Sequence, residues 1–300
     1  MRRNSSNTSK EIASRIILTV LFTIFVVIWI FPLVWVFNGA LKSADEWATN
    51  PNSFFPSMGY TFENFKTLFV GADQTTAYNY SIDKQPVAQW VLNSLIVSVS
   101  HTALYLVISS LAAYAFTFLE FKGRDTLFYI LIATMTIPGI VLTTPQFVNI
   151  VKMGLSLNLL SIILPGLGGI GGIFLMRQFF KGIPKSLVES ASIDGASKFR
   201  TFLTVVLPLA KPVLFVQGMF SFMGVWNDFQ WAQIVLGYGS KETWTLQLGL
   251  TYLVDLNRGT QGAQGVALAA SVISMIPMLL IYIVASNHII EGVAMTGVKE

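Results

Sequence analysis

Residues 183–200 read Ile-Pro-Lys-Ser-Leu-Val-Glu-Ser-Ala-Ser-Ile-Asp-Gly-Ala-Ser-Lys-Phe-Arg, and they lie between two long apolar runs. The segment carries two Lys, one Arg, one Glu and one Asp. Charged side chains are costly in the hydrocarbon of a bilayer, and irregular backbone is not tolerated there in contact with lipid. The pattern therefore predicts a loop that stands out of a membrane.

The same segment has the pattern of two short helices joined by a turn. Pro184 suits the first helical position, because its missing N–H would have no partner there. Gly195 can leave the first helix with a positive φ, and Pro208 closes the second helix. An apolar face of the first helix is formed by Leu187, Val188 and Ala191.

Small side chains are concentrated in the first helix and the turn, at Ser190, Ala191, Ser192 and Ala196. They would let the surface of another protein approach this backbone closely. We therefore expect a helix-in-groove contact with a soluble partner.

Glu189-Ser-Ala, Ile193-Asp-Gly-Ala and Leu207-Pro-Leu together resemble the EAA motif of ABC importer permeases. In that family the loop forms coupling helices that dock onto cytoplasmic ATPase subunits. Ser190 stands where the family usually has Ala, which replaces one small side chain by another. The resemblance implies that the ATPase-coupling residues are Glu189, Ser190, Ala191, Asp194, Gly195 and Ala196.

The composition is that of an integral membrane protein. Hydrophobic residues make up 53% of the chain and charged residues only 11%, whereas a soluble domain carries about 25% charged residues. Uncharged runs long enough for the roughly 20 residues of a membrane helix predict an all-α polytopic protein with six transmembrane helices. The runs are 16–41, 87–119, 126–151, 153–176, a stretch from 201 broken by Lys211 and Asp228, and 259–290.

Lys and Arg predict the orientation of the chain. Basic residues are concentrated before the first span, between the second and third spans, and in the loop at about 181–208. The positive-inside rule places these segments, and both termini, in the cytoplasm. This topology explains the modest excess of Lys and Arg over Asp and Glu, so the net positive charge does not indicate nucleic acid binding.

These runs divide the chain into five parts: a cytoplasmic tail at 1–15, a first helix at 16–37, an external loop at 38–86, a five-helix domain at 87–287, and a cytoplasmic tail at 288–300. The external loop carries several aromatic residues. They are expected to pack onto the protein or hold a partner, or else to lie at the membrane interface. Gly292 and Gly297 would let the C-terminal tail run extended.

The resemblance extends over essentially the whole chain. It includes Asn93-Ser94, Arg177-Gln-Phe-Phe and Trp226-Asn-Asp-Phe, and it is closest to the MalG-type member of the maltose-type, sugar-importing branch. Residues 71–85 match nothing in that pattern. The resemblance implies a type I ABC importer permease fold in the plasma (inner) membrane of a prokaryote, embedded in lipid.

The same resemblance implies the partners. They are a second homologous permease, two ATP-binding subunits and an extracytoplasmic solute-binding protein. This chain would bind no cofactor, because ATP and Mg would be used by the ATPase subunits. The implied function is ATP-driven import of a sugar, and an oligosaccharide is favoured over a monosaccharide. A non-sugar solute, or a secondary transporter, is the alternative.

Enzymatic chemistry has little support in the sequence. The chain has no cysteine, and no Gly-rich stretch ends in the Gly-Lys-Ser/Thr of an ATPase. Gly-Leu-Gly-Gly-Ile-Gly at 166–171 matches the G-x-G-x-x-G pattern of dinucleotide-binding sites. No strand is predicted before it, so the pattern does not indicate such a site. His101 and His288 lie far apart in sequence. We therefore predict neither catalytic residues nor a metal site.

Trp226-Asn227-Asp228 is the strongest candidate for contact with a transported solute. A carboxylate at membrane depth is expensive unless it faces a cavity or a partner. An aromatic ring beside polar side chains is also suited to sugars. The alternative is that the fifth span ends here and Asp228 meets external water.

Overall fold

The computed structural model describes residues 5–71, 84–256 and 263–296. All regular secondary structure within these ranges is helical, as the sequence predicts. The helices are α1 (Ser5–Ala40), α2 (Ala44–Thr49), α3 (Glu63–Val70), α4 (Val87–Phe118), α5 (Arg124–Thr134), α6 (Gly139–Lys152), α7 (Leu160–Ile163), α8 (Ile170–Lys181), α9 (Lys185–Ile193), α10 (Lys198–Thr201), α11 (Leu207–Leu209), α12 (Lys211–Trp226), α13 (Gln230–Leu236), α14 (Leu246–Leu256) and α15 (Gln264–Thr296).

Three described helical segments are each long and apolar enough to cross a bilayer: Ile12–Ala40, Val87–Phe118 and Gln264–Ile283. Two further pairs of described helices are apolar enough to count as one span each if their two members are taken together. The pair α5–α6 is bent by 100°, and the pair formed by Lys198–Leu209 and α12 is bent by 80°. Pro138, which precedes α6, and Pro208 lie at or beside these bends, where a missing N–H and a fixed φ interrupt a helix.

The run 153–176 is not the single helix that the sequence predicts. It holds the four residues of α7, then a loop, and then the first part of α8. Pro165 precedes Gly166, whose φ is +81°, a conformation that glycine adopts without strain. Backbone of this kind cannot continue a helix, so the helical path is broken between α7 and α8.

Two compact units are formed by Met1–Gln85 with Leu253–Ile273, and by Pro86–Tyr252 with Ser274–Glu300. Residues 253–273 thus group with the N-terminal unit although they lie near the other end of the chain. Apolar packing explains this grouping, because Ala269 and Val272 of α15 form a buried cluster with Ala40 of α1.

The second unit is organised around α4, which packs against α8 and α12. Glycines allow the close approach of α8: a Cβ at Gly172 would lie 2.0 Å from the Tyr105 hydroxyl oxygen, and one at Gly169 would lie 2.9 Å from the Tyr105 ring. Gly168, by contrast, has no neighbour within 4 Å. Small residues at such an interface let membrane helices pack backbone to side chain.

The N-terminal end of α4 holds the segment that joins α13 to α14. Trp90 donates its indole N–H to the Lys241 carbonyl (2.6 Å), and the Asn93 amide donates to the carbonyls of Glu242 (2.7 Å) and Trp244 (2.9 Å). Ser94 accepts from the Leu246 N–H at 2.8 Å. The Asn93-Ser94 pair thus satisfies backbone groups that would otherwise be costly to bury.

The first unit contains two buried ionisable side chains, Lys42 and Glu46. The Lys42 ammonium donates to the carbonyls of Pro51 and Ser53. The Glu46 carboxylate accepts from the Ser53 hydroxyl (2.8 Å), from the N–H (2.7 Å) and hydroxyl (3.0 Å) of Ser57, and from the Met58 N–H (3.2 Å). Burial raises the pKa of Glu46, but these hydrogen bonds stabilise the carboxylate and hold its pKa below the ordinary value.

The aromatic residues of the predicted external loop divide into two groups. Trp47 is buried and donates its indole N–H to the Gly39 carbonyl at 3.0 Å, and Phe54 stacks on Phe31 with ring centroids 5.1 Å apart. These side chains pack onto the protein. A second set stays exposed: Phe55, Tyr60 and Phe62.

The predicted tail at 288–300 is not extended where it is described, because α15 continues to Thr296. Gly292 is accommodated inside this helix at a cost of about 1 kcal/mol relative to alanine. Gly297 and the residues after it lie outside the described residues. So does most of the unmatched stretch 71–85, of which only Gly71, Lys84 and Gln85 are described.

We expect Glu46→Gln to lower the free energy of local opening of residues 50–60 by about 1–3 kcal/mol, because the backbone and hydroxyl donors of Ser53, Ser57 and Met58 lose a charged acceptor. A carboxylate with a lowered pKa contributes stability above its ordinary pKa of about 4.3, and this stability is lost as the pH falls through the folded-state pKa. Amide hydrogen exchange at Ser57 and Met58, corrected for its intrinsic pH dependence, measures the effect. The wild type should approach the variant in acid.

The matched control is Asp45→Asn, since Asp45 is the exposed neighbour of Glu46. It should leave exchange at Ser57 and Met58 unchanged. Equal protection of these two amides in the wild type and Glu46→Gln at pH 7 would contradict the prediction.

Candidate functional site

The polar segment 183–200 forms a helix, a tight turn and a second helix, as the sequence predicts. Pro184 immediately precedes α9 and is not its first residue, which shifts the expected start by one position. Gly195 has a φ of +79°, in agreement with its predicted role in the turn. The Ser197 hydroxyl caps α10 by accepting from the Arg200 N–H at 3.3 Å.

A buried apolar cluster packs between this loop and helices α4 and α8. We call it the loop core: Ala113, Tyr114, Met176, Phe180, Ile183, Phe202, Val206 and Ala210. Val188 of α9 packs against it. Tyr114 of α4 donates its hydroxyl to the Lys198 carbonyl at 2.9 Å and lies 5.2 Å from the Phe202 ring centroid. The loop is therefore held on α4 and α8 by both packing and a directed hydrogen bond.

The outer face of the loop presents the six residues that were predicted to couple to a partner. Glu189, Ser190, Asp194 and Gly195 are exposed, and Ala191 and Ala196 are half-buried. Two large apolar side chains beside them are also exposed, Ile193 at 85% and Phe199 at 61%. Exposed apolar side chains among small polar ones are typical of a surface that another protein covers.

Arg177 of α8 connects this helix to α4 and α5, and no role was assigned to it from the sequence. Its guanidinium donates to the Phe116 carbonyl at 3.2 Å and pairs with the Asp125 carboxylate at 3.4 Å. It also lies 3.9 Å from the centroid of the Phe128 ring. An Arg at the end of an apolar run was the available signal, because such a charge needs partners.

The structure separates the three residues of the predicted solute path. Trp226 is 1% exposed and donates its indole N–H to the Ser274 carbonyl at 3.2 Å. Asn227 is exposed and donates to the Met223 carbonyl at 3.0 Å. Asp228 is half-buried and caps the start of α13 by accepting from the Trp231 N–H at 3.1 Å. Of the three, Asp228 lines a cavity.

That cavity has a volume of about 380 Å³. We call it the polar cavity, after the polar side chains on its wall: His101, Thr143, Gln146, Asp228, Gln230 and Trp231. His101 is fixed there because its Nδ1 lies 2.9 Å from the Ile163 carbonyl oxygen. The Trp231 indole N–H donates to the Ser161 carbonyl at 2.9 Å.

Four polar members of this wall were not predicted as solute contacts from the sequence: Thr143, Gln146, Gln230 and Trp231. The first two come from a helix distant in sequence from Asp228. Both lie on α6, three residues apart, so they share one helix face with Gly139. The signal was a polar pair at helical spacing inside an otherwise apolar run. This pair could not be recognised as part of a cavity wall without knowing how the broken segment 153–169 folds.

Comparison with known proteins gives a consistent result. The family described as binding-protein-dependent transport system inner membrane component matches residues 105–290. The chain is 29% identical to the arabinooligosaccharides transport system permease protein AraQ of Bacillus subtilis (strain 168), with 95% of this chain and 96% of the relative covered. It is 30% identical to the galactooligosaccharides transport system permease protein GanQ of the same strain, with 91% of each covered.

One solved structure has a similar fold. It is the crystal structure of a bacterial ABC transporter involved in the import of the acidic polysaccharide alginate. The TM-score is 0.77 at 24% sequence identity, with 96% of this chain and 99% of that chain covered. At this identity the likeness establishes the fold alone.

We expect Tyr114→Phe to loosen the loop at 183–200 without disturbing the loop core, because only the hydrogen bond to Lys198 is lost. One such bond contributes about 0.5–1.5 kcal/mol, so tryptic cleavage at Lys185, Lys198 and Arg200 should be roughly 2- to 10-fold faster. Tyr129→Phe is the control, since Tyr129 is 70% exposed. Cleavage of Tyr114→Phe at the wild-type rate would remove the hydrogen bond as an anchor.

Proposed function

This chain belongs to the family of binding-protein-dependent transport system inner membrane components, and from that premise we propose that it is the permease subunit that moves a sugar in an ATP-driven importer. Membership confirms the resemblance to ABC importer permeases. A permease of this kind is an inner-membrane component that works with an ATPase and a solute-binding protein. It is a transport subunit and not an enzyme.

The exposed face of α9 and its turn supports the assignment of the coupling residues. Glu189 and Asp194 are exposed there, beside the small side chains of Ser190 and Ala191. The loop core holds this face on α4 and α8, so that a force applied to the loop would be passed to α4, which is long and apolar enough to cross the membrane. We propose that these residues dock on the ATPase.

A sugar is the solute that we favour. Two relatives that match this chain over nearly its whole length are permeases for arabinooligosaccharides and galactooligosaccharides. The polar cavity, with its amides, hydroxyl, carboxylate and indole, offers the groups that bind a polyhydroxylated molecule. A non-sugar solute is the alternative.

The complete transporter that we propose has two unlike permeases, two ATP-binding subunits and an external binding protein that delivers the sugar. ATP and Mg act at the ATPase subunits. The described residues of this chain would make no covalent bond with the solute; they would act by contacting it differently in the inward- and outward-facing states. Both termini would lie in the cytoplasm, as the Lys and Arg distribution predicts.

Glu189→Lys tests the coupling surface. The change reverses a charge on an exposed side chain of α9, so the loop should stay folded while the ATPase no longer binds. We expect loss of both sugar uptake and co-purification of the ATPase, with normal membrane insertion. Glu120→Lys, the same reversal at an exposed site outside the loop, should retain both. Wild-type uptake and co-purification by Glu189→Lys would refute the docking assignment.

Single cysteines test the orientation, because the chain has none of its own. Ser240 and Ser186 are both exposed, and they lie on opposite sides of the membrane in the proposed topology. A membrane-impermeant thiol reagent added to intact cells should label Ser240→Cys and not Ser186→Cys. Permeabilised cells should show labelling of both. The reverse pattern in intact cells would overturn the topology.

A further inference from the structure

We propose that the polar cavity is a solute-contact site on this subunit and that it selects an uncharged sugar over an acidic one. The inference rests on the proposed function and adds to it a place and a chemical class. It rests on the six polar side chains of the cavity wall, on the contact that orients the His101 ring, and on the charges that the wall contains and lacks.

His101 presents an acceptor to the cavity. A backbone carbonyl can only accept, so the 2.9 Å contact with Ile163 requires that Nδ1 carry the proton. In the neutral ring Nε2 is then an acceptor. No hydrogen bond to Nε2 is formed by the residues that the structure describes. The ring is held in place by stacking on Tyr105, with centroids 6.1 Å apart.

Asp228 adds a charged acceptor to the same wall. Its carboxylate accepts from the backbone N–H groups of Gln230 and Trp231 in the first turn of α13, which leaves about two of the roughly four hydrogen bonds that an ionised carboxylate can accept. A carboxylate that is half-buried is costly unless further donors reach it. Sugar hydroxyls are such donors, and they bring no charge of their own.

Thr143, Gln146 and Gln230 contribute groups that both donate and accept. Thr143 and Gln146 are half-buried and Gln230 is exposed. Pairs of donors and acceptors at fixed positions match the alternating roles of neighbouring hydroxyls on a sugar ring. The indole of Trp231, fixed through Ser161, supplies an apolar surface against a ring face.

The charge of the wall excludes acidic sugars. Asp228 is an anion, and no Lys or Arg is among the described residues that line the cavity. A uronate carboxylate entering this space would meet a like charge with no cation to pair with. Its desolvation would therefore be uncompensated, which is unfavourable in a partly buried site. The wall thus favours uncharged hydroxylated solutes.

The experiment uses the assembled transporter with its binding protein and exploits the absence of cysteine. Thr143→Cys places a thiol in the cavity wall. The matched control is Thr144→Cys, on the adjacent residue of α6, which is exposed and lies outside the cavity wall. Each is labelled with a small methanethiosulfonate reagent, alone and with an arabino- or galacto-oligosaccharide or an oligogalacturonate.

We expect the neutral oligosaccharide that the wild type takes up to slow labelling of Thr143→Cys at least several-fold. Oligogalacturonate should have no effect, and labelling of Thr144→Cys should be unchanged by either compound. Unchanged labelling of Thr143→Cys, or equal slowing of both cysteines, would overturn the inference. Slowing by oligogalacturonate would overturn its charge selectivity.

Asp228→Asn gives a second measurement that does not depend on labelling. Asn also caps helices well, so α13 keeps its start, while the charged acceptor is lost. The half-saturating concentration for uptake of the neutral sugar should rise roughly 2- to 10-fold, as expected for one or two weakened hydrogen bonds. An unaltered half-saturating concentration would remove Asp228 from the site.

These outcomes separate the two proposals. If the wild-type transporter takes up neither neutral nor acidic sugars, the proposed function fails. If it takes up a neutral sugar while Thr143→Cys is unprotected and Asp228→Asn keeps its affinity, the proposed function stands and only the site is wrong.

Discussion

The packing of α8 and α12 against α4 is the contact on which the second unit depends. Tyr105, in the middle of α4, lies against Gly169 and Gly172 at the start of α8. It follows His101 of the polar cavity by one helical turn and precedes Tyr114 of the loop core by nine residues. A larger side chain at Gly172 would collide with Tyr105. Close packing at this point therefore lets one helix, α4, carry both His101 of the cavity wall and Tyr114, which anchors the loop at 183–200.

Three buried polar side chains are stabilised in the same way, by hydrogen bonds to a neighbouring segment of the chain. Glu46 is surrounded by donors, Arg177 by a carbonyl, a carboxylate and a ring face, and Asn93 by two carbonyls. Each group is satisfied by backbone atoms of a neighbouring segment, so each one fixes the path of a loop. Asp228 is different, because it faces a cavity and has acceptor capacity beyond its helix cap. That difference is why it suggests a ligand, whereas the others suggest structure.

Part of the site could be predicted from local pattern. The turn at Gly195 and the exposed face of α9 follow from a glycine at the end of a short apolar periodicity and from small side chains around it, which are properties of adjacent residues. Trp226 could not be predicted in the same way. Its sequence neighbours suggested a sugar contact, but it is buried and hydrogen-bonded to Ser274, far along the chain. Asp228 reaches a cavity because α13 begins there, and Thr143 and Gln146 reach it from another helix.

The sequence by itself determined that this is an all-helical membrane protein with a charged loop between apolar runs, because composition and the cost of burying charge depend on residue type and order alone. It also determined the EAA-like loop, since that motif is a local pattern. Only the tertiary structure decided which polar side chains share a cavity and that Trp226 is buried. It also decided that residues 153–176 are interrupted at Pro165-Gly166 and do not form one helix. The cavity and the burial of Trp226 depend on contacts between residues distant in the chain, where packing overrides local preference. The break depends on the positive φ at Gly166, which a count of uncharged residues does not reveal.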